Sequence, residues 1–195
     1  MIEPIISMAS APGSREEQIL AAAFEAFATY GFRKTSMDDI ARIAGMSRSA
    51  LYLSYANKED ILQNRARTTL AETLATVKTV LAADTGSLEE VLLAAFIAKD
   101  GRFMESVLST PHAREVVEAG LSATRHIVAE AEATMRELLA QWLARRGVPA
   151  SLGTPDDVAA SIVSALHGLK ATSTDYATYR EGQHRLARIF ALALA

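Results

Sequence analysis

From Ser14 onward, apolar residues return every three or four positions instead of alternating as they would in a half-buried strand. That period commits the chain to amphipathic helices. In the first stretch Ile19, Leu20, Ala23, Phe24 and Phe27 share a face, and Ser14 with Glu17 three residues on supplies a capping-box start. Tyr30-Gly31 ends it. Thr35 or Ser36 caps a second helix whose inward residues are Met37, Ile40, Ala41 and Ala44. Gly45-Met46-Ser47 reads as a tight turn, with glycine giving the backbone freedom a sharp reversal needs. Ser47 then caps a short third helix through about Ser54. Composition agrees: half of the 195 residues are apolar, there are five prolines, alanine and leucine dominate, and strand formers are sparse. The expected fold is all-α.

The pattern continues to the end of the chain. Asn57 opens a fourth helix, with Asp60 at the capping-box position, that runs to about Ala83 and is roughly 39 Å long at 1.5 Å per residue. Asp84-Thr85-Gly86-Ser87 breaks it. Ser87 with Glu90 starts a fifth, to about Leu108; Thr110-Pro111 starts a short sixth that ends near Gly120. A long seventh spans about Leu121 to Arg146 and stops at Gly147-Val148-Pro149. Thr154-Pro155-Asp156-Asp157 combines cap, proline and acidic first turn for an eighth, and a ninth runs from about Tyr176 to the end. About nine helices result, with no internal repeat and no low-complexity linker. Residues 1–13 read as a flexible tail, 14–60 as a small head, and 61–195 as a second body able to bury its own core.

Net charge is −3, which on its own argues against a nucleic-acid partner. Its distribution argues the other way. Between Gly31 and Lys58 stand five cations (Arg33, Lys34, Arg42, Arg48, Lys58) against two carboxylates (Asp38, Asp39), a local +3 that leaves −6 for the remainder. There is no cysteine and hence no disulfide or thiolate metal site. The four histidines are scattered without ligand spacing, so neither metal nor cofactor is expected. No apolar run approaches the roughly 20 residues that cross a bilayer. The N-terminus carries Glu3 where a signal peptide would be positive, and a cytoplasmic protein is the default expectation.

The string ILAAAFEAFATYGFRKTSMDDIARIAGMSRSALYLSYANKEDIL is a helix-turn-helix pattern. It closely resembles the N-terminal domain of the TetR family of bacterial transcriptional repressors. Phe27, Tyr30-Gly31-Phe32, Thr35-Ser36, Ile40-Ala41, Ala44-Gly45, Ser47, Leu51-Tyr52 and Lys58-Glu59 fall in that family's order and spacing. The resemblance covers about 45 of the 195 residues; the remainder matches in helix layout only. It implies a DNA-facing set of Arg33, Thr35, Ser36, Ser47, Arg48, Ser49, Ala50, Tyr52, Leu53, Ser54 and Lys58. Arg48, near the start of the third helix, can reach base edges or phosphate, and a bidentate arginine–guanine contact gives roughly 1–3 kcal/mol of discrimination. Tyr52 would present its hydroxyl to phosphate. Lys58 would place a cation beside the exposed N–H groups of a helix start, a phosphate site that carries no sequence preference. Thr35 and Ser36 can cap the second helix and bond phosphate as well. Leu51 and Tyr55 belong to the core. Leu53-Ser54 depart from the aromatic or histidine pair common in the family, and Ser49-Ala50 are short, so few direct base contacts and a larger share of shape readout are expected.

For the body, the resemblance implies a ligand pocket within helices four to seven and a homodimer through helices eight and nine. Phe96, Phe103, Met104, Leu108, His112, Val116, His126, Met135 and Trp142 are the lining candidates, though each also fits a plain core. Helix eight independently carries small residues at four-residue spacing, Ala160, Ser164 and Gly168, which allow close approach of a partner helix. Val158 and Ile162 flank them, and helix nine adds Leu186, Ile189, Phe190 and Leu194. A two-fold operator calls for two copies of the reader. A ligand that favours one tilt of the fourth helix would alter the spacing of two reading heads.

The expectation is therefore a ligand-responsive dimeric repressor that binds double-stranded, palindromic DNA. A regulator whose body binds a protein partner, or no effector, is the alternative. A helical enzyme is the remote one, because the sequence offers no nucleophile–base arrangement, metal motif or phosphate-binding glycine loop.

Overall fold

The structure is a computed structural model that describes residues 14–109 and 113–195, with the side chains of 102, 106, 107, 109 and 113–121 left aside. The expected tail at 1–13, the Thr110-Pro111 helix start and His112 lie outside the described residues. Within them the chain forms nine α-helices and no strand: α1 (Arg15–Tyr30), α2 (Met37–Ile43), α3 (Arg48–Tyr52), α4 (Lys58–Ala83), α5 (Leu88–Phe96), α6 (Arg102–Ser109), α7 (Ala113–Arg146), α8 (Pro155–Thr172) and α9 (Tyr176–Leu194). A π-helical turn, Ile97–Gly101, joins α5 to α6, and a 3₁₀ turn, Ala150–Leu152, precedes α8.

The number of helices matches the expectation, but their division differs in two places. The expected fifth helix is α5, the π turn and α6 in succession. The expected sixth and seventh are one helix of 34 residues, α7, in which Gly120 marks no break. A helix-interior glycine costs only about 1 kcal/mol relative to alanine, and neither a cap nor a proline stands beside it to stop the helix.

Two compact units result. One comprises 14–67 and 113–126, the other 68–109 and 127–195, so α4 and α7 each contribute residues to both. Within α4 the division falls after residue 67, a few residues beyond residue 60.

In the first unit Ile19, Ala23, Ala26 and Phe27 of α1 pack on Met37, Ile40 and Ala41 of α2, Leu51 of α3, and Ile61 and Leu62 of α4. Phe27 meets Phe32 with ring centroids 4.9 Å apart, so the turn after α1 belongs to this core. The starts of α1 and α2 are fixed by reciprocal capping boxes, Ser14 with Glu17 and Ser36 with Asp39.

In the second unit Trp142, Leu139, Leu143 and Met135 of α7 form a core with Leu92 and Phe96 of α5, Ile162 and Leu166 of α8, and Ala187 of α9. The Trp142 indole N–H donates to Asp84 Oδ1 at 2.7 Å, and Arg146 donates to both oxygens of the same carboxylate. Those donors, Arg146 first, hold the Asp84 carboxyl below the usual carboxylate range. Asp84 takes a φ of +46° there, a left-handed conformation that an aspartate at a helix end tolerates.

The π turn places Asp100 inside this unit, 5% exposed. Lys99 donates to one carboxylate oxygen at 3.0 Å and Lys170 of α8 to the other at 2.9 Å. Burial opposes ionisation of Asp100, but the two ammonium groups outweigh it and its carboxyl titrates below the usual range. Behind it Tyr179 and Gln183 of α9 are fully buried, and Gln183 Nε2 donates to the Phe96 carbonyl at 2.9 Å. This polar cluster ties α5, α8 and α9 to one register.

Removing one member of a buried ion pair strands the others and costs about 3–5 kcal/mol. Asp100→Ala should therefore lower the stability of this unit by about 3 kcal/mol or more, read as a shift of the urea midpoint. Since the folded carboxyl titrates below its unfolded value of about 4, the stabilisation is present above about pH 4 and is lost as pH falls. Acid unfolding of the wild type should flatten the difference between the two proteins.

Candidate nucleic-acid interface

The head is held rigid before it meets any ligand. Gln18 Nε2 of α1 donates to the carbonyl of Ala44 at 2.9 Å, at the end of α2, and Arg15 donates to the carbonyl of Ala50 in α3 at 2.7 Å. Gly45 adopts a φ of +64° in the turn between, where a Cβ would be strained. Ser47 caps α3 by accepting from the Ala50 N–H at 3.1 Å. Tyr55, 5% exposed, donates to Glu16 at 3.2 Å, and burial followed by the Glu16 carboxylate pushes its hydroxyl up to about 12. Its assignment to the core, and that of Leu51, agrees with these positions.

With α3 anchored from behind, its outer side is free. Ser47, Arg48, Ser49, Tyr52, Leu53 and Ser54 are exposed and Ala50 is half-buried. Tyr52 is 42% and Leu53 85% exposed, although both carry apolar surface. Arg48 lies over the Tyr52 ring, 5.4 Å from its centroid, and donates to Asp38 at 3.0 Å. Arg33 and Lys34 are exposed in the turn after α1.

Two members of the expected set are hydrogen-bonded within the head. Lys58 donates its ammonium to the carbonyls of Phe32, Arg33 and Thr35, at 2.7, 3.1 and 2.9 Å, and sits 4.9 Å from the Phe32 ring centroid. An ammonium has three protons, and here all three are engaged within the head, so Lys58 clamps the turn. Thr35 is 2% exposed and donates to the carbonyls of Ala26 and Gly31. Its side chain locks the turn and presents almost no surface to solvent. Ser36, the actual cap of α2, is exposed but donates to Asp39 and accepts from the Asp39 N–H; those contacts hold the Asp39 carboxyl below its usual range. Sequence reasoning passed over Arg15, Gln18 and Asp38. Helix periodicity puts the first two on the polar side of α1, and only the fold shows that they reach backbone carbonyls more than twenty residues away.

The described pocket candidates differ in their surroundings. Phe96, Met104, Met135 and Trp142 are buried, between 0% and 3% exposed, as bulk apolar side chains that fill a core. Phe103 is 44% exposed and Leu108 half-buried. His126 is exposed and lies 3.1 Å from Arg67. Val116 is in α7, with its side chain outside the described set. Among the described residues no three carboxylate or histidine side chains gather to hold a metal ion, and no helix is long and apolar enough to cross a membrane.

The dimer candidates also divide. Val158 and Ile162, 5% and 0% exposed, point into the chain's own core and leave nothing for a partner. Ala160 is half-buried, whereas Ser164 and Gly168 are exposed. On α9, Leu186, Phe190 and Leu194 are half-buried and Ile189 is 52% exposed, joined by Leu192 at 73%, which apolar spacing did not single out.

A three-helix core that holds a short helix outward, with an arginine, a tyrosine and hydroxyls on its open side, is the arrangement of a helix-turn-helix DNA-binding domain. Residues 19–64 match the family described as bacterial regulatory proteins, tetR family. The whole chain has the fold of solved TetR-family transcriptional regulators. It is 19% identical to one from Mesorhizobium loti, over 90% of this chain and 94% of that one, with a TM-score of 0.65. It is 18% identical to the TetR family repressor AlkX of a Dietzia species, over 95% and 97%, at 0.60. It is 23% identical to a TetR/AcrR-family regulator from Thermobifida fusca, over 90% and 97%, at 0.62. The head is thus a tetR-family DNA-binding domain in a chain with the fold of TetR-family transcriptional regulators.

The clamp changes what Lys58 does to DNA binding. Lys58→Ala should destabilise the head by about 1.5–3 kcal/mol, the range for hydrogen bonds to a charged group. Affinity should fall on every sequence with the salt slope unchanged. Arg33→Ala, by contrast, should reduce the slope by about 0.9 for each phosphate that is no longer neutralised, leaving the thermal midpoint in place. Salt titrations of binding with parallel melting curves separate the two.

Proposed function

We propose that this protein is a homodimeric transcriptional repressor that releases a two-fold-symmetric DNA operator when its body binds a small molecule. The observation that carries the DNA-reading part is the outward face of α3, with Arg48 stacked on Tyr52 beside an 85% exposed Leu53. Such a surface has no use in a core and suits a major groove, where arginine matches guanine and a leucine side chain meets thymine methyl groups. The share of direct readout is small, since Ser47, Ser49 and Ser54 reach little, and groove shape supplies the rest. Dimerisation is supported by the exposed small residues Ser164 and Gly168 on α8 and by Ile189 and Leu192 on α9. The repressor role follows the resemblance, and AlkX, a repressor implicated in n-alkane biodegradation, is one precedent. Coupling would run through α4 and α7, the two helices shared between head and body units. A coupling of about 1–3 kcal/mol changes operator affinity by roughly 5–150-fold.

A second reading has its own support. Four of the pocket candidates are part of a filled core, as expected of a body that takes a protein partner or no effector. Thermal shifts with a panel of small metabolites distinguish the two, because a ligand specific for the folded state raises the midpoint with concentration.

Selection of genomic fragments by the purified protein, followed by affinity measurements at several salt concentrations, tests the DNA-reading part. A palindromic site bound in the nanomolar range with a steep salt slope is the expected result; equal, weak binding to all fragments would refute it. For the dimer, Gly168→Leu is the informative variant. A Cβ at Gly168 meets nothing within 4 Å in this chain, so a single subunit accommodates a larger residue there. Sedimentation should show a shift from dimer toward monomer with the helical content retained.

A further inference from the structure

We propose that Asp38 is a positioning residue for base recognition: by holding one nitrogen of Arg48, it presents the other edge of the guanidinium to a guanine in the operator. The inference rests on the reading of Arg48 as a base-contacting residue. Asp38 lies in the first turn of α2 and Arg48 in the first turn of α3. One hydrogen bond joins them, from Arg48 Nη1 to Asp38 Oδ2 at 3.0 Å, while the guanidinium carbon sits 5.4 Å from the Tyr52 centroid. A carboxylate on one side and a ring face on the other restrict a side chain that is otherwise long and free to rotate.

The pair does little for stability. Its side chains are 64% and 58% exposed, and ion pairs that open to solvent contribute almost nothing to folding. Its backbone supports, by contrast, are firm. The Ser36–Asp39 capping box fixes the turn of α2 that carries Asp38, and Gln18 and Arg15 hold α2 and α3 through the carbonyls of Ala44 and Ala50. The acceptor is therefore placed by the scaffold, and the arginine is placed by the acceptor.

The chemistry of the guanidinium fixes the consequence. It carries five N–H donors in a planar fork. With Nη1 bound to Asp38, the Nε–Nη2 edge, which has no protein partner among the described residues, presents two parallel donors. That edge matches the O6 and N7 acceptors of guanine in the major groove. An arginine already ordered loses less rotamer freedom on binding, and one restricted to a single edge discriminates between bases better than one free to swing to a phosphate.

A carboxylate near DNA also repels phosphate, so two effects must be told apart. If Asp38 only repels, its removal strengthens binding to every sequence by one common factor. If it positions Arg48, its removal erodes the preference at one base pair, whatever happens to absolute affinity. The experiment uses the full chain and the operator selected by the wild type, with each base pair substituted in turn. Affinities are compared for the wild type, Asp38→Ala, Arg48→Ala and the double variant, with melting curves to verify that each is folded.

The expected result is a guanine preference at one position of each half-site that Arg48→Ala abolishes and Asp38→Ala reduces at least fivefold, the lower end of what a bidentate arginine–guanine contact gives. Asp38→Ala should have no further effect on that preference in the Arg48→Ala background. A uniform rise in affinity with the preference intact in Asp38→Ala would overturn the proposal and leave the reading of Arg48 standing. Base preferences unchanged in Arg48→Ala would overturn both.

Discussion

An ammonium group set against three carbonyl oxygens organises the head. Lys58, the first residue of α4, closes the turn between α1 and α2 through Phe32, Arg33 and Thr35. Those carbonyls belong to the turn after α1, where no helix supplies them with N–H donors, and backbone acceptors withdrawn from water must be met by something. The lysine meets them with a charged donor. From inside the same turn, Thr35 binds the carbonyls of Ala26 and Gly31. The turn is thereby fixed from both sides, and α2 starts from a defined point. Every residue on the outer side of α3 inherits its position from this arrangement.

Rigidity at the back and exposure at the front serve one end. Arg15 and Gln18 reach from α1 to the carbonyls of Ala50 and Ala44, so the turn containing Gly45 has little freedom left. A reader built this way loses little conformational entropy when it docks. The same economy explains a third helix of only five residues, Arg48–Tyr52. Isolated helices of that length do not form in water; this one persists because Leu51 is fully buried and Ser47 caps its start.

Much of the head was legible in the sequence, and particular residues show why. Ser14, Glu17, Ser36, Asp39 and Ser47 are capping signals that act within four residues, and all of them form as local chemistry dictates. Leu51 and Tyr55 follow from apolar spacing. Long-range hydrogen bonds left no such mark. Lys58 had a ready local explanation, a cation at a helix start, and the sequence offers no hint that three carbonyls more than twenty residues upstream compete for it. The π turn at Ile97–Gly101 was illegible for a similar reason. Its period resembles that of the helices on either side, and what favours it is the burial of Asp100 between Lys99 and Lys170. Val158 and Ile162 follow the same lesson on α8: spacing shows that they share a face, and only packing shows that the face belongs to the chain's own core.

The charge count of the head also needs to be read through these contacts. Five cations stand between Gly31 and Lys58, yet three of them are engaged within the head: Lys58 by carbonyls, Arg48 by Asp38 and Arg42 by Asp39. Direct phosphate contacts come from cations that can turn toward DNA. That leaves Arg33 and Lys34, exposed in the turn that Lys58 holds in place, as the positions best suited to the sequence-independent share of binding. On the proposed reading, specificity rests on a different and smaller group, Arg48 with Tyr52 and Leu53. The two tasks would then fall to separate surfaces of one domain, the loop after α1 and the outer side of α3, and the Lys58 clamp holds the first of them in place.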